Sequence, residues 1–196
     1  MLITLEGIDG SGKTTVWKQL QEELSSDEFV FTREPTTSKY GELLRENLAS
    51  DTENRFTELF LFMADHAHHV NNTIKPAINN DKVVICDRYI DSRCAYQGHT
   101  LDSDLPNPTK FVYELHNGWS VFPELTIFLD VNVNTSLSRL DTSEKFETEN
   151  KLASIKENYE EIATMDVDRF SIVNGEENRK KVSNNVKKKI LERIEE

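Results

Sequence analysis

The sequence predicts a parallel, doubly wound α/β sheet with helices on both faces, built around a nucleotide-phosphate site. Three observations carry this. Gly7-Ile8-Asp9-Gly10-Ser11-Gly12-Lys13-Thr14 has the spacing of a phosphate-binding loop that joins a buried strand to a helix. Short apolar, β-branched runs alternate with helical patterns along the whole length. Those runs end in charged residues, Arg33, Asp87 and Asp130, at the edge where α/β sites form. At 196 residues the chain fits one domain with a core of its own.

The elements follow in order. An apolar strand over 1–5 enters the loop, and a helix leaves it with Val16, Trp17, Leu20 and Leu24 on one stripe. Three of the chain's seven glycines, Gly7, Gly10 and Gly12, fall in this loop, letting backbone N–H groups turn inward toward a polyphosphate. Lys13 adds a full charge beside the outer phosphates, and the Thr14 hydroxyl is a Mg²⁺ ligand by the logic of the motif. A second strand over 29–32 runs into Arg33-Glu34-Pro35, where proline stops it. A short helix over 40–48 carries Arg45 opposite its leucines, and a long helical pattern spans 54–78 with a wide apolar stripe. The third strand, 82–86, ends at Asp87-Arg88-Tyr89, which sets a carboxylate where the Mg²⁺ of a phosphate loop lies; a helix cap is the plainer role for that Asp. Helices over 91–98, 109–119, 135–140 and 152–163, a fourth strand over 125–129, a fifth over 170–173 and a helix over 176–194 complete the pattern.

The net charge of −12 argues against a protein that coats nucleic acid, so any phosphate site must be locally basic. No eighteen-residue apolar stretch and no basic-then-apolar leader is present, which leads to the expectation of a cytoplasmic chain without membrane contact. Cys86 and Cys94 match no metal or redox spacing and read as reduced thiols.

With the loop, Arg33-Glu34-Pro35, Asp87-Arg88-Tyr89 and Ser92-Arg93-Cys94-Ala95-Tyr96-Gln97-Gly98 in view, the chain resembles the thymidylate kinases over nearly its whole length. Further matches are Leu61-Phe62-Met63-Ala64-Asp65 and the fourth strand with Asp130. The resemblance implies a P-loop NTPase-type five-stranded sheet, a single kinase domain over 1–196 with a short lid at about 139–150, ATP with Mg²⁺, and a homodimer through 54–78. It implies transfer of the γ-phosphoryl of ATP to dTMP. ATP would then be held by Gly7, Gly10, Ser11, Gly12, Lys13, Thr14, Thr15 and Arg139, and Mg²⁺ by Thr14 and Asp87, partly through water. The dTMP set would be Asp9, Arg33, Arg45, Phe62, His66, Arg88, Ser92, Arg93, Tyr96 and Gln97, with Arg88 and one or both of Arg33 and Arg45 on its phosphate and Phe62 stacked on thymine. That acceptor phosphate has a second pKa near 6, so it needs cations and positioning rather than a base. Lys13, Asp9, Arg88 and Lys145 are the expected catalytic residues.

Two positions depart from the family pattern. An Arg usually follows the stacking Phe by four residues and bonds the pyrimidine carbonyl, where this chain has His66; Arg93 is expected to reach the carbonyl instead. Members that lack an Arg at the position of Gly10 draw basic residues from the lid, and here Lys145 is the evident one, with Arg139 placed on the adenine. Two other readings stay open. A deoxynucleoside kinase would want a carboxylate base for a neutral hydroxyl, and a nucleotide-switched binding protein would use the loop alone.

Overall fold

The computed structural model describes residues 1–50, 54–140 and 149–196. Five strands, β1 (Leu2–Glu6), β2 (Phe29–Arg33), β3 (Val83–Asp87), β4 (Leu125–Asp130) and β5 (Phe170–Asn174), form one sheet in the order β2-β3-β1-β4-β5. Every neighbouring pair is parallel, and each strand falls within one residue of its expected ends. Short, continuous apolar runs are what a sheet covered on both faces requires.

The period of two divides β1 between two cores. Ile3 and Leu5 join Ile85, Ile127, Leu129 and Val173 on one face. Val16 and Leu20 of α1 (Lys13–Glu23) and Val182, Val186 and Ile190 of α9 (Arg179–Glu195) cover them. Leu2 joins Val84, Cys86 and Phe128 on the other face, under α3 (Arg55–His69), α5 (Ile90–Thr100), α6 (Pro108–Glu114) and α8 (Glu149–Met165). Thr4 and Glu6 share that second face and are wholly buried, a polar pair in an otherwise apolar strand. The remaining helices are α2 (Lys39–Ser50), α4 (Lys75–Ile78) and α7 (Val133–Arg139).

The expected continuous helix over 54–78 is interrupted. Asn54 caps α3, its side chain accepting from the Phe56 N–H at 2.8 Å, but Val70–Ile74 forms a π turn before α4. The Lys75 N–H donates to the Val70 carbonyl five residues back. Pro76, at the start of α4, has no N–H to offer the Asn72 carbonyl, so the ordinary ladder cannot run through. Apolar periodicity does not register this one-residue slip.

The register fixes where the site forms. Leu5 pairs with Asp87 and Glu6 with Phe128, so the loop after β1 and the segment after β3 leave the same, carboxyl edge of the sheet. Among the described residues no helix is long and apolar enough to cross a membrane.

Candidate active site

The phosphate loop takes the turn that its glycines allow. Gly10 has φ +75°, and a Cβ there would lie 2.5 Å from the Ser136 carbonyl oxygen of α7. The Ser136 hydroxyl in turn donates to the Asp9 carbonyl, so α7 sits directly on the loop. In this conformation a side chain at position 10 would run into α7.

Lys13 is buried, and its ammonium donates to the Gly7 and Ile8 carbonyls at 2.8 Å each and to Ser11 Oγ at 3.1 Å. Burial, with the charge of Arg88, lowers its pKa to about 7. Anionic phosphate oxygens are the partner that favours its charged form. Thr14 Oγ1 donates to Asp87 Oδ2 at 2.9 Å, while Asp87 Oδ1 is buried without a partner. A hydroxyl and a carboxylate in contact, with one carboxylate oxygen unsatisfied, suit a hard, oxygen-seeking cation.

A cavity of about 710 Å³ opens beside the loop. Gly10, Ser11, Gly12, Lys13, Thr14, Thr15 and Arg139 line it, while Gly7 shapes the turn from behind. Arg139 donates to the Gly10 and Gly175 carbonyls at 3.3 and 3.2 Å, bridging the loop to the turn that follows β5. Arg179, in the first turn of α9, also lines this cavity and had no motif to announce it.

A second cavity, of about 350 Å³, lies across the sheet edge. It brings together Asp9, Phe62, Arg88, Ser92, Arg93, Tyr96 and Gln97 of the expected site residues. Asp9 and Arg88 belong to both cavities and mark where they meet. Arg88, held at φ +66°, forms an ion pair with Asp9, donates to Ser92 Oγ at 3.1 Å and stacks on the Tyr96 ring at 4.9 Å. Tyr96 donates to the other Asp9 oxygen at 2.8 Å. Burial works to raise the Asp9 pKa, but the charges of Arg88 and Lys13 and the Tyr96 hydrogen bond outweigh it and hold the carboxyl below its ordinary value.

Four of the expected site residues lie away from both cavities or outside the described residues. His66 does not face the second cavity; it is fully buried, its ring nitrogens bonded to Glu34 Oε1 at 2.8 Å and Ser120 Oγ at 2.7 Å. Arg33, at the end of β2, is exposed and lines neither cavity. Arg45 is also exposed, donating to the Thr36 and Pro35 carbonyls at 2.8 and 3.4 Å, so it braces a turn. Lys145 lies outside the described residues.

Arg93 is at the cavity wall but is anchored from behind. Its guanidinium pairs with Glu34 and donates to His116 Nε2 at 2.7 Å, leaving Nε buried without a partner. Glu34 also accepts from His69 Nδ1 at 2.8 Å. Burial favours the neutral acid, yet His66, Arg93 and the histidine hydrogen bonds hold the Glu34 pKa well below the carboxylate range. Burial pushes the His66 pKa down to about 4, so it serves as a neutral donor to that carboxylate. Gln97 donates its Nε2–H to Glu58 at 3.1 Å, and its Oε1 is buried without a partner. Glu34, Glu58 and Lys151 complete the charged lining; Glu34 stood in the Arg33-Glu34-Pro35 motif without being assigned to the site, and Glu58 and Lys151 belonged to no motif.

The thymidylate kinase family model matches residues 5–186 of this chain. Two relatives, each described as a probable thymidylate kinase, are 44% identical: one from Methanosarcina mazei over 99% of this chain and 97% of its own, one from Halobacterium salinarum over 87% and 85%. The crystal structure of thymidylate kinase from Ehrlichia chaffeensis superposes with a TM-score of 0.76 at 31% identity, covering 97% of this chain and 98% of that one. A phosphate loop on β1, a second cavity walled by Arg88, Tyr89, Ser92, Arg93, Tyr96 and Gln97, and these matches over nearly the full length agree: the chain belongs to the thymidylate kinase family.

Proposed function

We propose that this protein transfers the γ-phosphoryl group of ATP to dTMP, giving dTDP and ADP in deoxynucleotide biosynthesis. The observation that carries the reading is the junction: a phosphate-loop cavity and a smaller cavity share Asp9 and Arg88 and no other described lining residue. Two anions bound from opposite sides would meet there, at a guanidinium positioned by Asp9, Ser92 and Tyr96.

Chemistry at such a junction rests on positioning and charge, because a dianionic phosphate is already a nucleophile. Lys13 exchanges loop carbonyls for phosphate oxygens, and Arg88 holds the acceptor phosphate in line. Thr14 and Asp87 would hold Mg²⁺, which when bound neutralises charge on the donor phosphates. For the base, Arg93 Nε–H and Gln97 Oε1 offer one donor and one acceptor beside Phe62. Glu58, which only accepts, fixes the Gln97 amide so that its oxygen is the group left over. Thymine presents the complement, a carbonyl next to a ring N–H. Asp9 is a poor general base, since both its oxygens accept bonds and its pKa is lowered, which weighs against a deoxynucleoside acceptor.

The reading includes one cytoplasmic domain and a homodimer through the helical stretch 54–78; the expected lid at 139–150 lies mostly outside the described residues. Phe60, 56% exposed on α3, supports the pairing. A coupled ADP-release assay across dTMP, dUMP, dGMP and dCMP tests the function. Release stimulated by dTMP over dGMP and dCMP is the expected outcome; slow hydrolysis indifferent to every acceptor would refute it.

A further inference from the structure

Behind the smaller cavity, His66, His69 and His116 each set Nδ1 against an oxygen that can only accept. For His66 and His69 that oxygen is Glu34 Oε1, and for His116 it is the Val112 carbonyl, each at 2.8 Å. Nδ1 therefore carries the proton in all three rings, and Nε2 is left as an acceptor. His66 Nε2 takes the Ser120 hydroxyl and His69 Nε2 the Thr32 hydroxyl, both at 2.7 Å. His116 differs, since its Nε2 takes an N–H of the Arg93 guanidinium, also at 2.7 Å. Burial, with the charge of Arg93, pushes the His116 pKa down to about 2, so the ring stays an acceptor at neutral pH.

Charge neutrality does not account for this bond. Arg93 already has the Glu34 carboxylate on Nη2. One contact leaves a planar guanidinium free to turn about it, whereas a second, on Nη1, fixes its plane. The second acceptor is itself held firmly. The His116 ring is wholly buried, stacked on Trp119 at 6.1 Å and met edge-on by His66 at 5.1 Å. The Trp119 Nε1–H is tied in turn to the Leu115 carbonyl at 2.7 Å. The turn after α6 thus holds an acceptor that aims a side chain of α5. With Nη1 and Nη2 anchored, Nε–H is left without a partner among the described residues, and Arg93 lines the cavity with Phe62 and Gln97.

We infer that His116 is a positioning residue for base selection: its Nε2 fixes the plane of the Arg93 guanidinium, and with it the Nε–H that meets a pyrimidine carbonyl. The inference rests on the dTMP kinase reading and adds to it a residue that lines neither cavity.

The experiment compares wild type with His116→Gln, whose amide oxygen reaches where Nε2 stands, and His116→Leu, which fills the space without an acceptor. Steady-state kinetics give kcat and the KM for dTMP. Deoxyribose 5-phosphate, the acceptor without its base, is assayed as a competitor of dTMP. His116→Leu should raise the KM for dTMP about tenfold, the worth of one hydrogen bond from a charged donor, with kcat held and inhibition by deoxyribose 5-phosphate unchanged. His116→Gln should restore the wild-type KM. An unchanged KM in His116→Leu overturns the inference. An equal loss for deoxyribose 5-phosphate overturns it too, since that assigns His116 to the shape of the whole cavity, and so does a Gln variant as impaired as the Leu one. If His116→Leu does not fold, His116→Asn takes its place: the shorter amide can meet the Val112 carbonyl but stops short of Arg93, so the same base-selective rise is expected, and a wild-type KM overturns the inference. All these outcomes leave the dTMP kinase reading standing. A wild type with no dTMP-stimulated ADP release removes that reading, and this inference with it.

Discussion

Glu34 and Arg93 form an ion pair sealed beneath the smaller cavity, each with under a tenth of its side chain exposed. The carboxylate has three partners, Arg93 on one oxygen and His66 and His69 on the other, and the proline after it ends the strand segment. Removing one charge from such a pair leaves the other buried and unpaired, which costs about 3–5 kcal/mol. Glu34→Gln should therefore lower the unfolding free energy by that order, measured by urea denaturation. The double variant Glu34→Gln with Arg93→Met should recover a large part of it, and strictly additive losses would show that the two residues do not act as a pair.

His66 offers a second test, because the family's usual residue there is an arginine that reads the base. Here the ring is wholly enclosed, 4.7 Å from the Tyr89 ring and 5.3 Å from that of Trp119. An arginine would bring a second guanidinium beside Arg93 into space that the imidazole already fills. His66→Arg should destabilise the fold by about 2 kcal/mol or more and leave dTMP affinity no better. A variant of wild-type stability with tighter dTMP binding would mean that the side chain reaches the cavity after all.

These two residues also show what the sequence can and cannot disclose. Strand ends were legible because a doubly covered parallel strand is a short apolar run, and the loop was legible because polyphosphate binding constrains glycine, lysine and hydroxyl at fixed spacing. Arg88, Ser92, Tyr96 and Gln97 came with their segment. The direction of a side chain was not legible: Arg93 and His66 both read as base contacts, and only packing showed one braced at the wall and the other behind it. Arg33 and Arg45 line neither cavity for the same reason, since an arginine at a strand end or on a helix carries no sign of which way it turns.

Gly10 and Gly12 separate two costs that the loop imposes. Both have positive φ, +75° and +97°, but a Cβ on Gly12 meets nothing within 4 Å while one on Gly10 meets the Ser136 carbonyl. Gly12→Ala should show only the backbone penalty, about 1–2 kcal/mol. Gly10→Ala must in addition push α7 off the loop, and with it the Arg139 bonds to Gly10 and Gly175. The expected result is a larger loss of ATP affinity for Gly10→Ala than for Gly12→Ala, read by titration with ATP. Equal losses would show that the seat of α7 on the loop has no bearing on nucleotide binding.

Glu6 and His66 set opposing pH dependences within one core. Glu6 is enclosed on the inner face of β1, accepting from the Tyr89 N–H at 2.8 Å and the Tyr159 hydroxyl at 3.1 Å, and from Ser92, which also receives Arg88. Burial, with the charge of Asp91, raises its pKa from 4.5 to about 7. Between those values the folded chain holds a proton that the unfolded chain has released, so this group's contribution to stability falls as pH rises from 4.5 to 7. His66, lowered from 6.5 to about 4, does the reverse: the unfolded chain binds the extra proton, and stability falls as pH drops through that window. A wild-type profile blends the two, but Glu6→Gln removes the first alone. The variant should gain on wild type steadily between pH 4.5 and 7, by an amount on the order of 1–3 kcal/mol, and hold that gain above pH 7. Urea denaturation of both proteins at pH 4.5, 5.5, 7 and 8 measures the difference. A constant offset across that range would place the Glu6 pKa at its ordinary value and sever the carboxyl from the pH response of the Ser92 and Arg88 chain.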